Sequence, residues 1–388
     1  MGMKKYAKIL TAFLLAAILL AGGAGASTLT KEDSPMKVFH LDCGRKYFSS
    51  SEILSLIDTL SENGFNWIEL AFGNDGLRFL LDDMSLTYAG KDGEQHFTSD
   101  AVTAAVQEGN LRYTEASRGE LTQSEMDAIV AYAAQRGIQI LPLLNTPGHM
   151  DAALYAGELL TGKTLRYEDS ASTIRLDDVD AVGFTRALVQ KYIDYFRDRG
   201  CTAFNLGADE YANDVYVGYE GIGFGHLIDH GGYNLFADYV NAVAQQIRDA
   251  GMQPFAFNDG FYFRNHREGV TFDTDIVICY WTAGWGSYRV CPASELAAAG
   301  FRILNTNGNW YYVLGRTEGN FDRASSEEYV RSIPWQQVIN APDVSPIGAM
   351  VCLWCDDPGA PYTEEETLLV NSRIASFAES NPDLFVQF

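Results

Sequence analysis

The sequence predicts an α/β protein built as a single (β/α)8 TIM barrel, and three observations carry that expectation. Short apolar runs alternate with amphipathic ones over almost the whole chain, giving roughly eight strand–helix units. No linker or low-complexity stretch divides them into separate domains. Polar and aromatic residues gather where the apolar runs end, which is where such barrels build their sites. A doubly wound open sheet is the alternative. Against it, "DCGRKYF" after the first apolar run lacks the G-x-G-x-x-G spacing of a nucleotide-binding turn.

Taken in order, strands are expected at 38–42, 66–72, 139–144, 203–207, 254–258, 275–281, 302–306 and 348–354. Each is a short, nearly continuous apolar run, as a parallel strand covered on both faces requires. Amphipathic runs between them predict helices at 52–62, 123–136, 181–198, 235–250, 293–299, 326–338 and 364–378. Only the crossing between Asn258 and Asp275 shows no clear helix. The barrel is expected to occupy 35–388.

Residues 1–26 read as a cleavable secretory signal rather than as part of the fold. Lys4, Lys5 and Lys8 precede an apolar stretch from Ile9 to Ala21, and Ala24-Gly25-Ala26 supplies small residues for cleavage. A secreted protein with no membrane span or anchor is therefore expected. Without those residues the chain carries 25 basic and 51 acidic side chains, a net charge of −26. Such a surface repels nucleic acid and anionic membranes and favours neutral or cationic partners. The six cysteines are scattered, and Cys352-Leu-Trp-Cys355 has redox spacing but lies in a strand-like run without the helix that normally follows such a motif.

The expected strand ends carry Asp42 and Arg45, Asn74 and Asp75, His149, Asp209 and Glu210, Asn258 and Asp259, Trp281, Tyr311, and Trp354 with Asp356. Carboxylates, amides and aromatics on one face suit a sugar, whose hydroxyls need paired donors and acceptors and whose C–H faces stack on indole or phenol rings. Within this set, "NLGADEYAND" (205–214) places two acids side by side. They could form a solvated acidic loop, or a divalent-metal site with Asn213 and Asp214, although neither calcium-loop nor H-E-x-x-H spacing is present. The third reading is glycoside cleavage. Ordinary glycosidases set two carboxylates ~5–9.5 Å apart across the scissile bond, which neighbours cannot readily do. If the sugar carries a 2-acetamido group, its carbonyl oxygen can be the nucleophile. One acid then protonates the leaving oxygen while its neighbour holds the amide.

These segments resemble glycoside hydrolase family 20, the β-N-acetylhexosaminidases, over essentially the whole mature length. The resemblance is carried by "DCGRKYFS" (42–49), "GNDGLRFLLDDMS" (73–85), "NTPGHMDA" (145–152), "NLGADEYAND" (205–214), "FAFNDGFYF" (255–263), "YWTAGWGSY" (280–288), "ILNTNGNWYYVLGR" (303–316) and "LWCDDPGAPY" (353–362), in family order. It implies a retaining, substrate-assisted exo-β-N-acetylglucosaminidase that needs no cofactor or metal and acts on GlcNAc-terminated glycans. Glu210 would be the general acid/base, Asp209 the acetamido-orienting group and Tyr311 a donor to the acetamido oxygen, with Tyr312 the alternative. Arg45 and Asp356 would bind ring hydroxyls, Trp354 would form the sugar floor and Trp281 the acetamido wall. Asp75 and His149 complete the expected binding set.

The chain also departs from the common family pattern. Asn205 and Ala208 stand where histidine and glycine are usual, and Leu143 and Asn145 replace two acids. These departures match the pneumococcal-type subgroup. A dispersin-like hydrolase of poly-N-acetylglucosamine and a non-catalytic glycan-binding barrel are the alternatives. A metal-dependent deacetylase is disfavoured, because the six histidines form no ligand set and only His226 and His230 lie close in sequence.

Overall fold

The computed structural model describes residues 34–215, 222–286, 288–316 and 328–385. The expected leader, 1–26, lies outside them. Eight parallel strands form the barrel: β1 (Met36–Leu41), β2 (Trp67–Asn74), β3 (Gln139–Thr146), β4 (Ala203–Gly207), β5 (Gln253–Phe257), β6 (Val277–Tyr280), β7 (Ile303–Asn305) and β8 (Gly348–Trp354). Each pairs with its neighbour in sequence, and β1 pairs with both β2 and β8, so the sheet closes without an edge. The open-sheet alternative is thereby removed.

Side-chain alternation sorts every strand into an inner and an outer face. Val38, Trp67, Leu141, Phe255, Val277, Leu304 and Met350 fill the barrel interior, while Phe39, Ile68, Ile140, Phe204, Ala256 and Ile278 pack outward in the larger cluster that the helices cover. The helices begin where local chemistry lets them. Helix α1 (Ser50–Glu62) and helix α2 (Gln123–Gln135) each start with a capping box, Ser49 with Glu52 and Thr122 with Glu125. In such a box two backbone donors that the helix cannot satisfy itself are bonded reciprocally. Helix α3 (Val179–Asp198), helix α4 (Tyr233–Asp249), helix α5 (Ala293–Ala298) and helix α6 (Glu364–Ser380) lie near their expected positions.

Several features differ from expectation, among them the unanticipated helices Asp151–Thr161 and Ile222–His230. The helix expected at 326–338 is helical only over 328–332 among the described residues, and Pro334 follows. Proline lacks the N–H that would continue the ladder and clashes with the preceding turn. An antiparallel hairpin, Leu86–Gly90 with Gly93–Phe97, and a helix, Ser99–Tyr113, fill the long excursion after β2. Within that helix Gly109 is a contact point. A Cβ at this position would come within 2.2 Å of the Ala152 carbonyl on the facing helix Asp151–Thr161.

Candidate active site

A cavity of about 740 Å3 opens at the carboxyl end of the barrel. Trp354, at the end of β8, Tyr311, Trp281, Arg45, Asp356, Asp209 and Glu210 all line it. Seven of the nine expected site residues are therefore brought together from five separate connections. Asp75 and His149 are not on the cavity wall; they stand directly behind the two acids.

The backbone explains how neighbouring acids reach one cavity. A regular strand would send Asp209 and Glu210 to opposite faces. Here β4 ends at Gly207 (φ 74°), and Ala208 (φ 65°), Glu210 (φ 48°) and Ala212 (φ 55°) also adopt left-handed conformations. Three of these carry a Cβ, and each such residue costs roughly 1–2 kcal/mol. Distant contacts hold the turn. Asp259 accepts the Glu210 N–H at 2.8 Å, and Thr173 Oγ1 accepts the Ala212 N–H at 3.0 Å. Only glycine fits at 207, because an added Cβ would lie 2.0 Å from Asn145 Oδ1.

Each acid has its own supports. Asn145, from β3, donates to Asp209 Oδ1 at 2.8 Å and to Asn74 Oδ1 at 3.2 Å, and Asn74 donates onward to buried Asp42. Glu210 faces His149 Nε2 at 3.4 Å, and Asp209 faces the same nitrogen at 3.7 Å. The other ring nitrogen, Nδ1, lies 3.2 Å from Asp75. Asp75 in turn receives Arg45 Nε at 2.8 Å. His149 and Asp75 are themselves left-handed, and their loops are tied by Asp75 N–H donating to the His149 carbonyl at 2.6 Å.

Electrostatics follow from this layout. Burial alone would keep His149 neutral, but the Asp75 carboxylate, with Glu210 and Asp209, overrides it and raises the imidazole well above its ordinary value. Burial likewise pushes Asp75 upward, and His149 and Arg45 outweigh that and hold it well below the usual range. For Glu210, burial is opposed by the facing His149 imidazole and its charge, and the carboxyl lies below its ordinary value. Asp209 is raised, chiefly by burial, with the Glu210 charge adding to it against His149. The shifts of His149 and Glu210 both favour the proton on His149 over Glu210.

The aromatic residues form the remaining walls. Trp281 and Tyr311 stack at 6.2 Å and 16°, and Tyr311 tilts against Trp354 at 5.5 Å. Tyr312 does not face the cavity; its hydroxyl donates to Glu366 on α6. Arg45 reaches Asp356 at 3.2 Å, and Arg316 approaches the other Asp356 oxygen at 3.3 Å. Asp259 was visible in sequence only as one more acid at a strand end. It fastens three parts of the site: the Glu210 N–H, the Trp281 indole N–H at 3.1 Å and the Tyr288 hydroxyl. Trp285, 55% exposed at the cavity mouth and stacked on Tyr288 at 4.6 Å, was not singled out either.

The two alternatives weighed from sequence, a metal site with Asn213 and Asp214 and redox chemistry at Cys352 and Cys355, find no support in the geometry. Asp214 turns away from the acids to accept from Ser170 Oγ and the Ala171 N–H, so it shares no metal site with Asp209 and Glu210. Among the described residues, the cluster compact enough to hold a metal is His149, Asp209 and Glu210, with ligand atoms within 4.8 Å of one another. Cys352 and Cys355 are unpaired and fully buried, and burial pushes both thiols well above their ordinary value, which leaves little thiolate for redox exchange.

Residues 35–380 match the family model described as glycosyl hydrolase family 20, catalytic domain. The chain belongs to glycoside hydrolase family 20. It is similar to a tandem family 20 catalytic module of the pneumococcal exo-β-D-N-acetylglucosaminidase StrH, with 37% identity and a TM-score of 0.85 over 91% of this chain and 86% of that one. It is 23% identical over 340 residues to the β-hexosaminidase of Vibrio furnissii, covering 81% of this chain and 52% of that protein. It is also 25% identical over 198 residues to the lacto-N-biosidase of Bifidobacterium bifidum, covering 49% and 17%. The family 20 chain thus spans about half the length or less of these curated relatives.

Proposed function

We propose that this family 20 chain is a secreted, retaining exo-β-N-acetylglucosaminidase that removes non-reducing terminal β-linked GlcNAc with help from the substrate's own acetamido group. The observation that carries the reading is the turn after β4, which brings two sequence neighbours, Asp209 and Glu210, into one cavity with different partners. Similarity to the pneumococcal exo-β-D-N-acetylglucosaminidase supports GlcNAc as the sugar.

In this reading the ring of the terminal sugar lies on Trp354, and Arg45 and Asp356 take its hydroxyls. The acetamido group enters between Trp281 and Tyr311. Asp209 accepts the amide N–H, and that bond favours its ionised form despite burial. The amide oxygen then attacks the anomeric carbon as the glycosidic C–O bond breaks. Glu210, protonated from His149 across the 3.4 Å contact, delivers the proton to the leaving oxygen. The positive charge of the oxazolinium ring develops beside the Asp209 carboxylate, where an oriented anion lowers the barrier. Water then adds from the side the leaving group vacated, giving up its proton to Glu210. Two displacements at one carbon retain the β configuration.

The test is hydrolysis of an aryl β-GlcNAc, with the anomer of the first product followed by NMR. Glu210→Gln should lose ~10²–10⁴-fold in kcat with a poor leaving group and much less with an activated one. Asp209→Asn should lose about 10²–10³-fold with either, because it acts on ring closure rather than on departure. Release of the α anomer would rule out acetamido participation. Release of GlcNAc from poly-N-acetylglucosamine but not from N-glycan antennae would favour the dispersin-like reading.

A further inference from the structure

Beneath the cavity floor, three polar side chains stand inside the barrel among Leu143, Phe257, Cys279 and Cys352, where an apolar filling would be expected. They are His40 on β1, Glu69 on β2 and Asn205 on β4, and all three are fully buried. His40 Nδ1 and Glu69 Oε2 are 2.5 Å apart. Asn205 Nδ2 donates to the other Glu69 oxygen at 2.7 Å. The same amide's Oδ1 accepts the Gly207 N–H at 2.9 Å. At the opposite end, the His40 ring lies 4.1 Å from the Trp354 ring, tilted by 39°.

Burying such groups is costly, more so for the unbonded His40 Nε2, and a well-packed apolar set would carry no such cost. What the polar chain adds is direction, because a bonded amide and carboxylate admit one geometry where methyl groups admit many. Its two ends touch two different parts of the site. Asn205 fixes the nitrogen of Gly207, the first residue of the left-handed turn that swings Asp209 and Glu210 to one side. His40 backs the ring on which the sugar would lie. A single buried carboxylate, Glu69, therefore references the acids and the floor to each other. The unusual asparagine at 205 is the member that makes this link, using its donor for Glu69 and its acceptor for Gly207.

We propose that His40, Glu69 and Asn205 are positioning residues for hydrolysis, setting the Asp209–Glu210 pair against the Trp354 floor. This rests on the acetamido-assisted reading above. None of the three touches the cavity, so their influence runs through the geometry of other groups.

The variants are Asn205→Leu, which keeps the volume and removes the amide; His40→Phe, which keeps a ring under Trp354 and removes the bond to Glu69; and Glu69→Gln, which can still bond both partners. Each is followed by thermal melting, by kcat and KM on an aryl β-GlcNAc, and by affinity for a GlcNAc-thiazoline mimic of the ring-closed intermediate. Per folded molecule, Asn205→Leu and His40→Phe should lose about 10–100-fold in kcat with KM little changed, since a small misplacement of catalytic groups costs that much. Mimic affinity should fall with kcat, and Glu69→Gln should keep most of both. A merely structural role would lower the melting temperature and leave kcat and mimic affinity of the folded fraction untouched, and that result overturns the proposal. If Asn205→Leu does not fold, Asn205→Ser, which is too short to reach both Glu69 and Gly207, carries the same readouts. A wild type that neither cleaves the glycoside nor binds the mimic overturns the underlying reading, and this one with it.

Discussion

His149 Nε2 stands 3.4 Å from the Glu210 carboxylate, with Asp75 fixed 3.2 Å behind the same ring. Across this contact the imidazole is raised above its ordinary value and the acid is held below its own. Removing the imidazole therefore has a signed consequence. In His149→Gln, burial acts on Glu210 with only the weaker pull of Arg45 against it, so its pKa rises. Activity should fall by ~10²-fold at neutral pH, and the inflection assigned to Glu210 in the pH–rate profile should move to higher pH. An unchanged profile with a uniformly lower rate would remove His149 from the proton path.

Burial, and after it the nearby Asp209 charge, push the Asp259 carboxyl up to about 7. The folded protein thus binds a proton that the unfolded chain releases near its ordinary value of about 4. The stability this contributes is fully present below that value and is lost as pH rises through about 7. Asp259→Asn abolishes the titration. The melting-temperature difference, wild type minus variant, should shrink between about pH 5 and about pH 8. A constant difference across that range would show that the carboxyl is ionised throughout.

Ala208 is left-handed at φ 65°, where the Cβ is strained and glycine is not. Ala208→Gly relieves ~1–2 kcal/mol of strain and gives back ~0.5–1 kcal/mol in chain entropy. The melting temperature should rise by about 1–2 °C with activity preserved. A clear fall would mean that packing of this buried methyl outweighs the strain.

Trp285 projects at the cavity mouth, held by its stack on Tyr288, whose hydroxyl is anchored on Asp259. In the proposed reading that places an indole where the sugar on the reducing side of the scissile bond would lie. Trp285→Ala should reduce kcat/KM on a GlcNAc-terminated oligosaccharide by about tenfold, the contribution of one stacked ring. Inhibition by free GlcNAc should not change. Equal losses in both would place the ring over the terminal sugar instead.

Much of the fold was legible because its signals are local. Each barrel strand is a short apolar run, and each was anticipated within a few residues of its observed bounds. The excursion after β2 was not. Its hairpin is half polar, and its helix contains Gly109, whose use is evident only once the carbonyl of Ala152 lies against it. The helix expected to run to 338 gave way to the chemistry of Pro334. Within the site, the acids, aromatics and Arg45 were readable from their positions at strand ends. Asp259 was visible there but not its function, since its three partners come from separate connections.

By itself, then, the sequence determined the alternation of strands and helices and the residue types delivered to one end of the barrel. Hydrophobic period and strand-end chemistry are properties of neighbouring residues. Only the tertiary structure decided which way those residues face. The left-handed turn from Gly207 to Ala212 is costly for any residue bearing a Cβ, and it is held by Asp259, Thr173 and Asn205. The bond from Asn205 to Glu69 spans 136 positions of sequence. Adjacent letters supplied the two acids, and closure of the barrel turned them toward one cavity.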